Sequence, residues 1–213
     1  MPLDFQAILF DMDGVLVNSN PAIEASWQAW CERNGIDFSA MKPRLHGRKA
    51  VEVIRDFKPD ADIEAEWQIL IDQEMAMVGL TEALPGAKAL MSSLPADRWT
   101  IVTSAPLELA RARLDAAGLP HPEIWVSARD VKRGKPAPDA FLLGAERLQA
   151  RPQDCLVIED SRAGIEAALA GGIPCIMVGP ESETDPGADL RVRDLSALAL
   201  SDGPNSALSL SPA

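Results

Sequence analysis

The chain has 213 residues, of which 47% are hydrophobic and 24% charged, and this globular composition excludes long disorder before the C-terminal tail. A formal net charge of −12, with no long run of lysine or arginine, argues against nucleic acid and anionic membranes as partners. Three scattered cysteines, no signal-peptide pattern and no membrane-spanning stretch predict a cytoplasmic protein with reduced thiols.

The first structural signal is the apolar run at residues 7–10, which ends in Asp11, Met12, Asp13 and Gly14. Four consecutive apolar residues predict a strand that is buried on both faces of a parallel sheet. Asp11 would then lie at the carboxyl end of the strand, where open α/β sheets bind ligands. Taken alone, however, an Asp-x-Asp pair is more often a solvated turn or a helix cap.

The following segment has helical periodicity. Apolar residues at helical spacing predict helices over residues 21–34, 51–57 and 63–78. We therefore predict a helical cap at residues 19–81, inserted into a catalytic core that comprises residues 1–18 and 82–213.

After residue 85 the pattern changes to short β-type runs that alternate with helices. This alternation predicts an α/β fold with a doubly wound parallel sheet. The predicted strands are residues 99–102, 124–126, 155–158 and 175–178, and the predicted helices are residues 107–117, 137–149 and 162–170. Residues 188–192 are expected to add an edge strand, and the last dozen residues to remain unpacked.

Polar residues follow two of the later strands and fill one loop between them. Thr103 and Ser104 precede a helix, where they could bind an anion or merely cap the helix. Glu159 and Asp160 could add carboxylates to the same sheet edge or simply favour the start of a helix. Between them, two prolines flank a short loop that contains Lys135, although most loop lysines are only solvated.

Together these segments resemble the four motifs of the haloacid dehalogenase-like hydrolase superfamily, in the family's order and spacing up to about residue 179. The matching segments are Asp11-x-Asp13-Gly14, Thr103-Ser104, Gly134-Lys135-Pro136-x-Pro138-Asp139 and Glu159-Asp160. The resemblance implies a Rossmann-like core with an inserted small α-helical cap. It also implies that the first and fourth strands are neighbours, so that the four carboxylates converge.

Converging carboxylates repel each other, so a divalent cation or protons must accompany them. Ligands that are all oxygen favour Mg²⁺ over zinc. The family pattern implies that the Asp11 carboxylate, the Asp13 backbone carbonyl and Asp160 hold the metal ion, with Glu159 bound directly or through water.

The family pattern also implies the catalytic roles. Asp11 would attack phosphorus and form an aspartyl-phosphate, while Asp13 would protonate the leaving oxygen and later activate water. Thr103, the Ser104 backbone N–H and Lys135 would hold the phosphoryl oxygens. A second acid at Asp13 favours ester hydrolysis over dehalogenation, since a leaving halide needs no proton.

Substrate choice is expected to depend on the cap. His46, Gly47 and Arg48 look like the substrate loop of small sugar- and polyol-phosphate phosphatases. His46 could also be an ordinary loop residue and Arg48 a surface charge. Asn18 and Ser19, just beyond the first motif, could contact the substrate or simply begin the helix.

Three functions are compatible with these residues. The favoured one is a Mg²⁺-dependent phosphomonoesterase that acts on a small phosphorylated metabolite, a sugar or polyol phosphate, as a monomer or weak dimer. A β-phosphoglucomutase-like phosphomutase is the alternative, but such enzymes place a histidine and an arginine where this chain has Ile23 and Ala50. A non-catalytic binding protein is disfavoured because Asp11, Asp13 and Lys135 are intact.

Overall fold

The structure is a computed structural model that describes residues 2–180, 185–204 and 207–213. The strands in this part of the chain are β1 (Leu3–Phe5), β2 (Ala7–Phe10), β3 (Val17–Asn18), β4 (Glu82–Ala83), β5 (Trp99–Val102), β6 (Trp125–Val126), β7 (Cys155–Glu159), β8 (Cys175–Val178), β9 (Leu190–Val192), β10 (Leu198–Asp202) and β11 (Leu208–Pro212). The α-helices are α1 (Asn20–Asn34), α2 (Phe38–Met41), α3 (Ala50–Phe57), α4 (Ile63–Ala76), α5 (Ala87–Ser93), α6 (Leu107–Ala117), α7 (Asp139–Arg147) and α8 (Arg162–Ala170).

A six-stranded parallel sheet forms the centre of the molecule, in the order β6-β5-β2-β7-β8-β9. The sheet grows from β2 towards β5 and β6 and then restarts on the other side with β7, so a switch point lies between β2 and β7. Every residue of β2, β5, β7 and β8 is buried, because α5 and α6 cover one face and α7 and α8 the other. The predicted Rossmann-like α/β fold is confirmed.

Helices α1 to α4, residues 20–76, pack around their own apolar cluster and are called the helical insertion below. Trp27, Trp30, Trp67 and Leu70 are buried in this cluster. The chain leaves the core through β3 and returns through β4, which pair antiparallel. The proposed domain boundaries at residues 18 and 82 fall in this two-stranded ribbon, and the division itself stays a prediction.

The C-terminal tail contradicts one expectation. β9 pairs with β8 at the sheet edge, as predicted, but the last residues are not unpacked. β11 pairs antiparallel with both β1 and β10, and Leu210 is fully buried in the main core. The prediction failed because the partner strand β1 is distant in sequence, so local composition does not reveal it.

Two predicted helices are shorter in the structure. α7 ends at Arg147 because Gln149 has a positive φ of 55°, which is incompatible with a continuing helix. α4 ends at Ala76, where a single 3-10 turn follows at Val78–Leu80. None of the helices in the described residues has both the length and the apolar character that a membrane span requires.

Candidate active site

The carboxyl ends of three neighbouring strands bring the predicted core residues together. Asp11 directly follows β2, Thr103 follows β5 and Glu159 is the last residue of β7. β5 and β7 flank β2 on either side, so parallel pairing delivers the three side chains to one edge of the sheet. All three residues are buried.

Lys135 lies at the centre of this group, and only 1% of it is exposed. Its Nζ donates hydrogen bonds to Asp11, to Glu159 Oε1 at 2.7 Å and to the Val102 carbonyl at 3.2 Å. Burial alone would lower the pKa of Lys135, but the two carboxylates raise it above the ordinary value of a lysine. The ammonium is therefore a fixed positive charge within the site.

Glu159 is completely buried, and donors surround both of its carboxylate oxygens. Oε1 accepts from Lys135, while Oε2 accepts from the backbone N–H groups of Asp160 and Ser161 and from the Ser161 hydroxyl, at 2.7–2.9 Å. A Cβ at Gly164 would lie 1.6 Å from Oε1, so a glycine there leaves room for this arrangement. Glu159 thus holds Lys135 and the turn after β7 in place.

One oxygen from each of Asp11, Glu159 and Asp160 lies within 4.8 Å of the others. Burial raises the pKa of Asp11 to about 8, against the opposing effect of Lys135. Burial, followed by the charges of Glu159 and Asp11, also raises the pKa of Asp160 well above its usual value. Three carboxylates around one ammonium leave negative charge uncompensated, and this donor set fits a hard divalent cation.

Two further observations support a cation at Asp160. The carboxylate accepts no hydrogen bond from any described residue, so its oxygens remain available as ligands. Gly14, with φ of 88°, approaches so closely that a Cβ there would lie 1.8 Å from Asp160 Oδ2. The turn that follows β2 and the turn that follows β7 therefore meet at Asp160.

Asp13 is not part of this group of three carboxylates and is held by two donors. Its Oδ1 accepts from the Ser19 hydroxyl at 2.5 Å and from Arg113 Nη1 at 2.8 Å. Thr103 and Ser104 are hydrogen-bonded as well. Thr103 Oγ1 accepts from the Ala105 N–H, and the Ser104 hydroxyl donates to the Gly47 carbonyl of the helical insertion at 2.7 Å.

A cavity of about 80 Å³ lies between the core and the helical insertion, beside Asp11 and Asp13. His46, Gly47, Arg48 and Ser104 line this cavity. Its apolar wall consists of Ile23, Trp27, Leu45, Ala50, Trp67, Leu70, Ile71, Ala105, Pro106 and Leu109. The exposed Asn18 is not part of the lining; Asn20, two residues later, is.

The helical insertion is closed against the core at several points. Gly47 has a φ of 78°, and a Cβ there would lie 2.1 Å from the Ser161 hydroxyl. Lys49 Nζ donates to the Val131 carbonyl at 2.8 Å, and Glu52 accepts from the Gly134 N–H at 2.7 Å. These contacts fix the loop that contains His46 and Arg48 over the sheet edge formed by the carboxyl ends of β2, β5 and β7.

A family model described as haloacid dehalogenase-like hydrolase matches residues 5–172. The chain belongs to this family. It is 42% identical over 207 residues to hexitol phosphatase A from Escherichia coli, with 94% of this chain and 96% of that protein covered. It is 30% identical to glycerol-1-phosphate phosphohydrolase 2 from Saccharomyces cerevisiae, with 87% and 79% covered.

The fold agrees with a solved structure of this type. A hydrolase from Pseudomonas syringae superposes with a TM-score of 0.80 at 24% identity, with 90% of this chain and 94% of that chain covered. The similarity to phosphatases of this haloacid dehalogenase-like family confirms the prediction that the chain is an enzyme, a phosphatase.

Sequence reasoning missed two residues at this haloacid dehalogenase-like site, Glu74 and Arg113. Ser19 was expected to contact the substrate or begin a helix, and in the structure it donates to Asp13. Glu74 and Arg113 line the cavity and bond to each other. A signal did exist, because Arg113 follows Leu109 by four positions and Glu74 follows Leu70 by four, which puts both charges on apolar helix faces. A charged residue on a buried face needs a partner. Here Arg113 of the core and Glu74 of the helical insertion are partners of each other.

Proposed function

We propose that this hydrolase is a Mg²⁺-dependent phosphomonoesterase that acts on a small sugar or polyol phosphate through an aspartyl-phosphate at Asp11. The observation that carries the proposal is the group of three carboxylates within 4.8 Å of one another, packed around the buried Lys135. A nucleophilic carboxylate beside a fixed ammonium and a cation site is what phosphoryl transfer requires.

Asp11 and Asp160, with the backbone carbonyl of Asp13, would hold Mg²⁺. When bound, the ion would neutralise charge on the phosphoryl oxygens and lower the pKa of Asp11, so that the nucleophile is ionised at neutral pH. We assign Glu159 to the support of Lys135 and of the turn after β7, since its oxygens already accept four hydrogen bonds.

In the first step an Asp11 carboxylate oxygen attacks phosphorus, and the bond from phosphorus to the ester oxygen breaks. Asp13 gives its proton to that leaving oxygen and then takes a proton from the water that hydrolyses the acyl phosphate. Inorganic phosphate and the alcohol are released. Thr103, the Ser104 N–H and Lys135 hold the phosphoryl oxygens throughout.

The cavity favours hydrolysis over the phosphomutase alternative. Ile23 and Ala50 both line it, and these are the positions where the β-phosphoglucomutase-like pattern has a histidine and an arginine. The sec-butyl side chain of Ile23 and the methyl group of Ala50 can neither move a proton nor hold a second phosphate. Water is then the acceptor of the phosphoryl group.

The substrate class is inferred from the relatives and from the cavity lining. The two curated relatives are named as phosphatases of hexitol and glycerol phosphates. A cavity of about 80 Å³ with His46, Arg48 and Asn20 among its polar residues would accept a short hydroxylated leaving group. We do not assign Asn18 a role in binding, because it is exposed outside the cavity.

We further propose a cytoplasmic enzyme that works as a monomer or weak dimer on a small phosphorylated metabolite, without nucleic acid or a membrane as partner. The net charge of −12 supports the absence of nucleic acid and membrane partners, since it would repel anionic polymers and anionic surfaces.

Phosphate release from glycerol 1-phosphate and from hexitol phosphates tests the proposal. We expect turnover with Mg²⁺ that disappears with EDTA and in Asp11→Asn, while Asp72→Asn, an exposed aspartate on α4, behaves as wild type. Undiminished turnover in Asp11→Asn would refute the mechanism. Interconversion of phosphate isomers that depends on a bisphosphate, without net phosphate release, would identify a phosphomutase instead.

A further inference from the structure

We propose that Arg113 is the residue that positions Asp13 for proton transfer, and that it does so fully only when Glu74 of the helical insertion completes the contact. The inference deepens the proposed function, because it rests on Asp13 being the acid and base of a phosphatase. Neither Arg113 nor Glu74 belongs to the four motifs from which the site was predicted.

The geometry joins three separate parts of the chain. Arg113 projects from α6 of the core, Glu74 from α4 of the insertion, and Asp13 from the turn after β2. Arg113 Nη1 donates to Asp13 Oδ1 at 2.8 Å, while Nη2 donates to Glu74 Oε2. One planar guanidinium therefore sets the relative position of two carboxylates on different units.

Burial makes this bridge important for Asp13. The exposed fraction of the side chain is 3% for Arg113, 11% for Glu74 and 19% for Asp13. Salt bridges on a protein surface contribute little, but removal of one partner from a buried pair leaves an uncompensated charge. Because Arg113 is almost completely buried, its guanidinium has little water to bond to instead, and it restrains Asp13 more firmly than an exposed pair would.

The two donors leave one oxygen of Asp13 available. Ser19 and Arg113 both donate to Oδ1, and no described residue donates to Oδ2. The carboxyl group is thus fixed through one oxygen, and the other can give a proton to the leaving group and take one from water. All of Asp13, Glu74 and Arg113 line the cavity where that leaving group would lie.

Glu74 connects this geometry to closure of the insertion. α4 packs directly against α6, so Glu74 reaches Arg113 only while the two helices are in contact. If the insertion opened, Arg113 would keep only its contact with Asp13. The guanidinium would then no longer be fixed and could move together with the Asp13 carboxylate. Closure then both covers the substrate and completes the orientation of the acid.

The test compares leaving groups in Arg113→Met and Arg113→Lys. p-Nitrophenolate leaves readily without a proton, whereas a glycerol alkoxide needs one, so a misplaced Asp13 should affect glycerol 1-phosphate far more. We expect alcohol release in the first turnover at saturating substrate to fall about 100-fold for glycerol 1-phosphate and less than about 10-fold for p-nitrophenyl phosphate. Measuring the first turnover isolates this step. The later hydrolysis of the acyl phosphate is the same reaction for both substrates and would mask the difference.

Glu74→Gln is the second variant, and it keeps the side-chain shape while it removes the charge. We expect the same preference for p-nitrophenyl phosphate. The ratio of its first-turnover rate to that of glycerol 1-phosphate should rise about 10-fold relative to wild type. Glu64→Gln is the matched control, since Glu64 lies on the same helix and pairs with Arg129 of the core at 3.4 Å, but is exposed. It should leave both rates unchanged.

Equal losses on both substrates in a folded Arg113→Lys or Glu74→Gln protein would overturn the inference. A raised KM for glycerol 1-phosphate with an unchanged saturated rate would also overturn it, because the pair would then bind substrate rather than position the acid. If wild type releases phosphate from neither ester, the proposed function fails. If wild type releases phosphate from both esters and Asp13→Asn loses far more rate on glycerol 1-phosphate than on p-nitrophenyl phosphate, but the Arg113 variants do not change the ratio, only this inference fails.

Discussion

The core edge and the helical insertion contribute opposite kinds of surface to the same cavity. The core provides charged side chains at the ends of β2 and β7 and a hydroxyl at the end of β5, and the rigid sheet fixes Asp11 and Glu159 around Lys135. The insertion provides a mostly apolar wall and a loop held by backbone contacts. The nucleophile and the fixed ammonium are therefore expected to come from the core, whereas closure of the insertion sets recognition and, through Glu74, completes the orientation of Asp13.

Loss of the buried cation should have the largest effect. Lys135→Met leaves the Asp11 and Glu159 carboxylates buried without their ammonium, which we expect to cost about 3–5 kcal/mol of unfolding free energy and to abolish turnover. Urea unfolding with and without Mg²⁺ measures the cost, and the exposed Lys132→Met serves as control. An active Lys135→Met enzyme of wild-type stability would contradict the assignment of chemistry to the core.

The dependence of stability on pH and Mg²⁺ tests the cation site of the core. The pKa of Asp11 rises from 3.8 to about 8 on folding, and that of Asp160 rises too, so the folded state keeps protons that the unfolded state has lost. Without metal, the contribution of Asp11 and Asp160 to the free energy of unfolding should therefore be largest below about pH 4 and fall as the pH rises to about 8, by about 2 kcal/mol or more.

Mg²⁺ should remove most of this slope, because it binds the ionised carboxylates of the folded state. Glu74, whose pKa burial raises to about 7, contributes a slope of the same sign that Mg²⁺ should leave in place. Urea unfolding at pH 5 and pH 8, with EDTA or Mg²⁺, separates the two contributions. Asp11→Asn should reduce the slope in EDTA; a slope independent of both Mg²⁺ and Asp11 would argue against the cation site.

Closure of the insertion can be tested by comparing two glycines. Gly47 and Gly35 have similar φ values of 78° and 66°, so an alanine at either position should cost about 1 kcal/mol of backbone strain. Only at Gly47 does the new Cβ meet the core, 2.1 Å from the Ser161 hydroxyl, while nothing lies within 4 Å at Gly35.

We expect Gly47→Ala to lower kcat/KM for glycerol 1-phosphate about 10-fold and Gly35→Ala less than about 2-fold, at similar stability. Steady-state kinetics on both variants, with thermal unfolding as the check on stability, measures this difference. Equal effects of the two substitutions would show that contact between this loop and the core does not matter for turnover.

The smallest effects should come from polar residues at the cavity mouth. His46→Ala should raise KM for glycerol 1-phosphate a few-fold, since His46 lines the cavity, whereas the exposed Asn18→Ala should change neither KM nor kcat. A KM increase in Asn18→Ala as large as that in His46→Ala would restore the original prediction of a substrate contact at Asn18.

The sequence by itself determined the alternation of strands and helices and the polar residues at the strand ends. Both follow from local rules: an apolar run such as residues 7–10 is a buried strand wherever it pairs, and parallel strands present Asp11, Thr103 and Glu159 at the same edge. The family resemblance added the order of the motifs and the adjacency of β2 and β7. Bounds were off only by a few residues, as at α7, where a single backbone angle ends the helix.

Tertiary structure alone decided which distant groups became partners. β11 pairs with β1 across nearly the whole length of the chain, Lys135 reaches Asp11 across 124 positions, and Arg113 reaches both Asp13 and Glu74. A local pattern can report that Arg113 lies on an apolar helix face, but the carboxylates it meets are 100 and 39 positions away. The contact between Arg113 and Glu74 forms only when the insertion packs onto the core. Burial, and not proximity in sequence, makes it costly to leave a charged group without a partner.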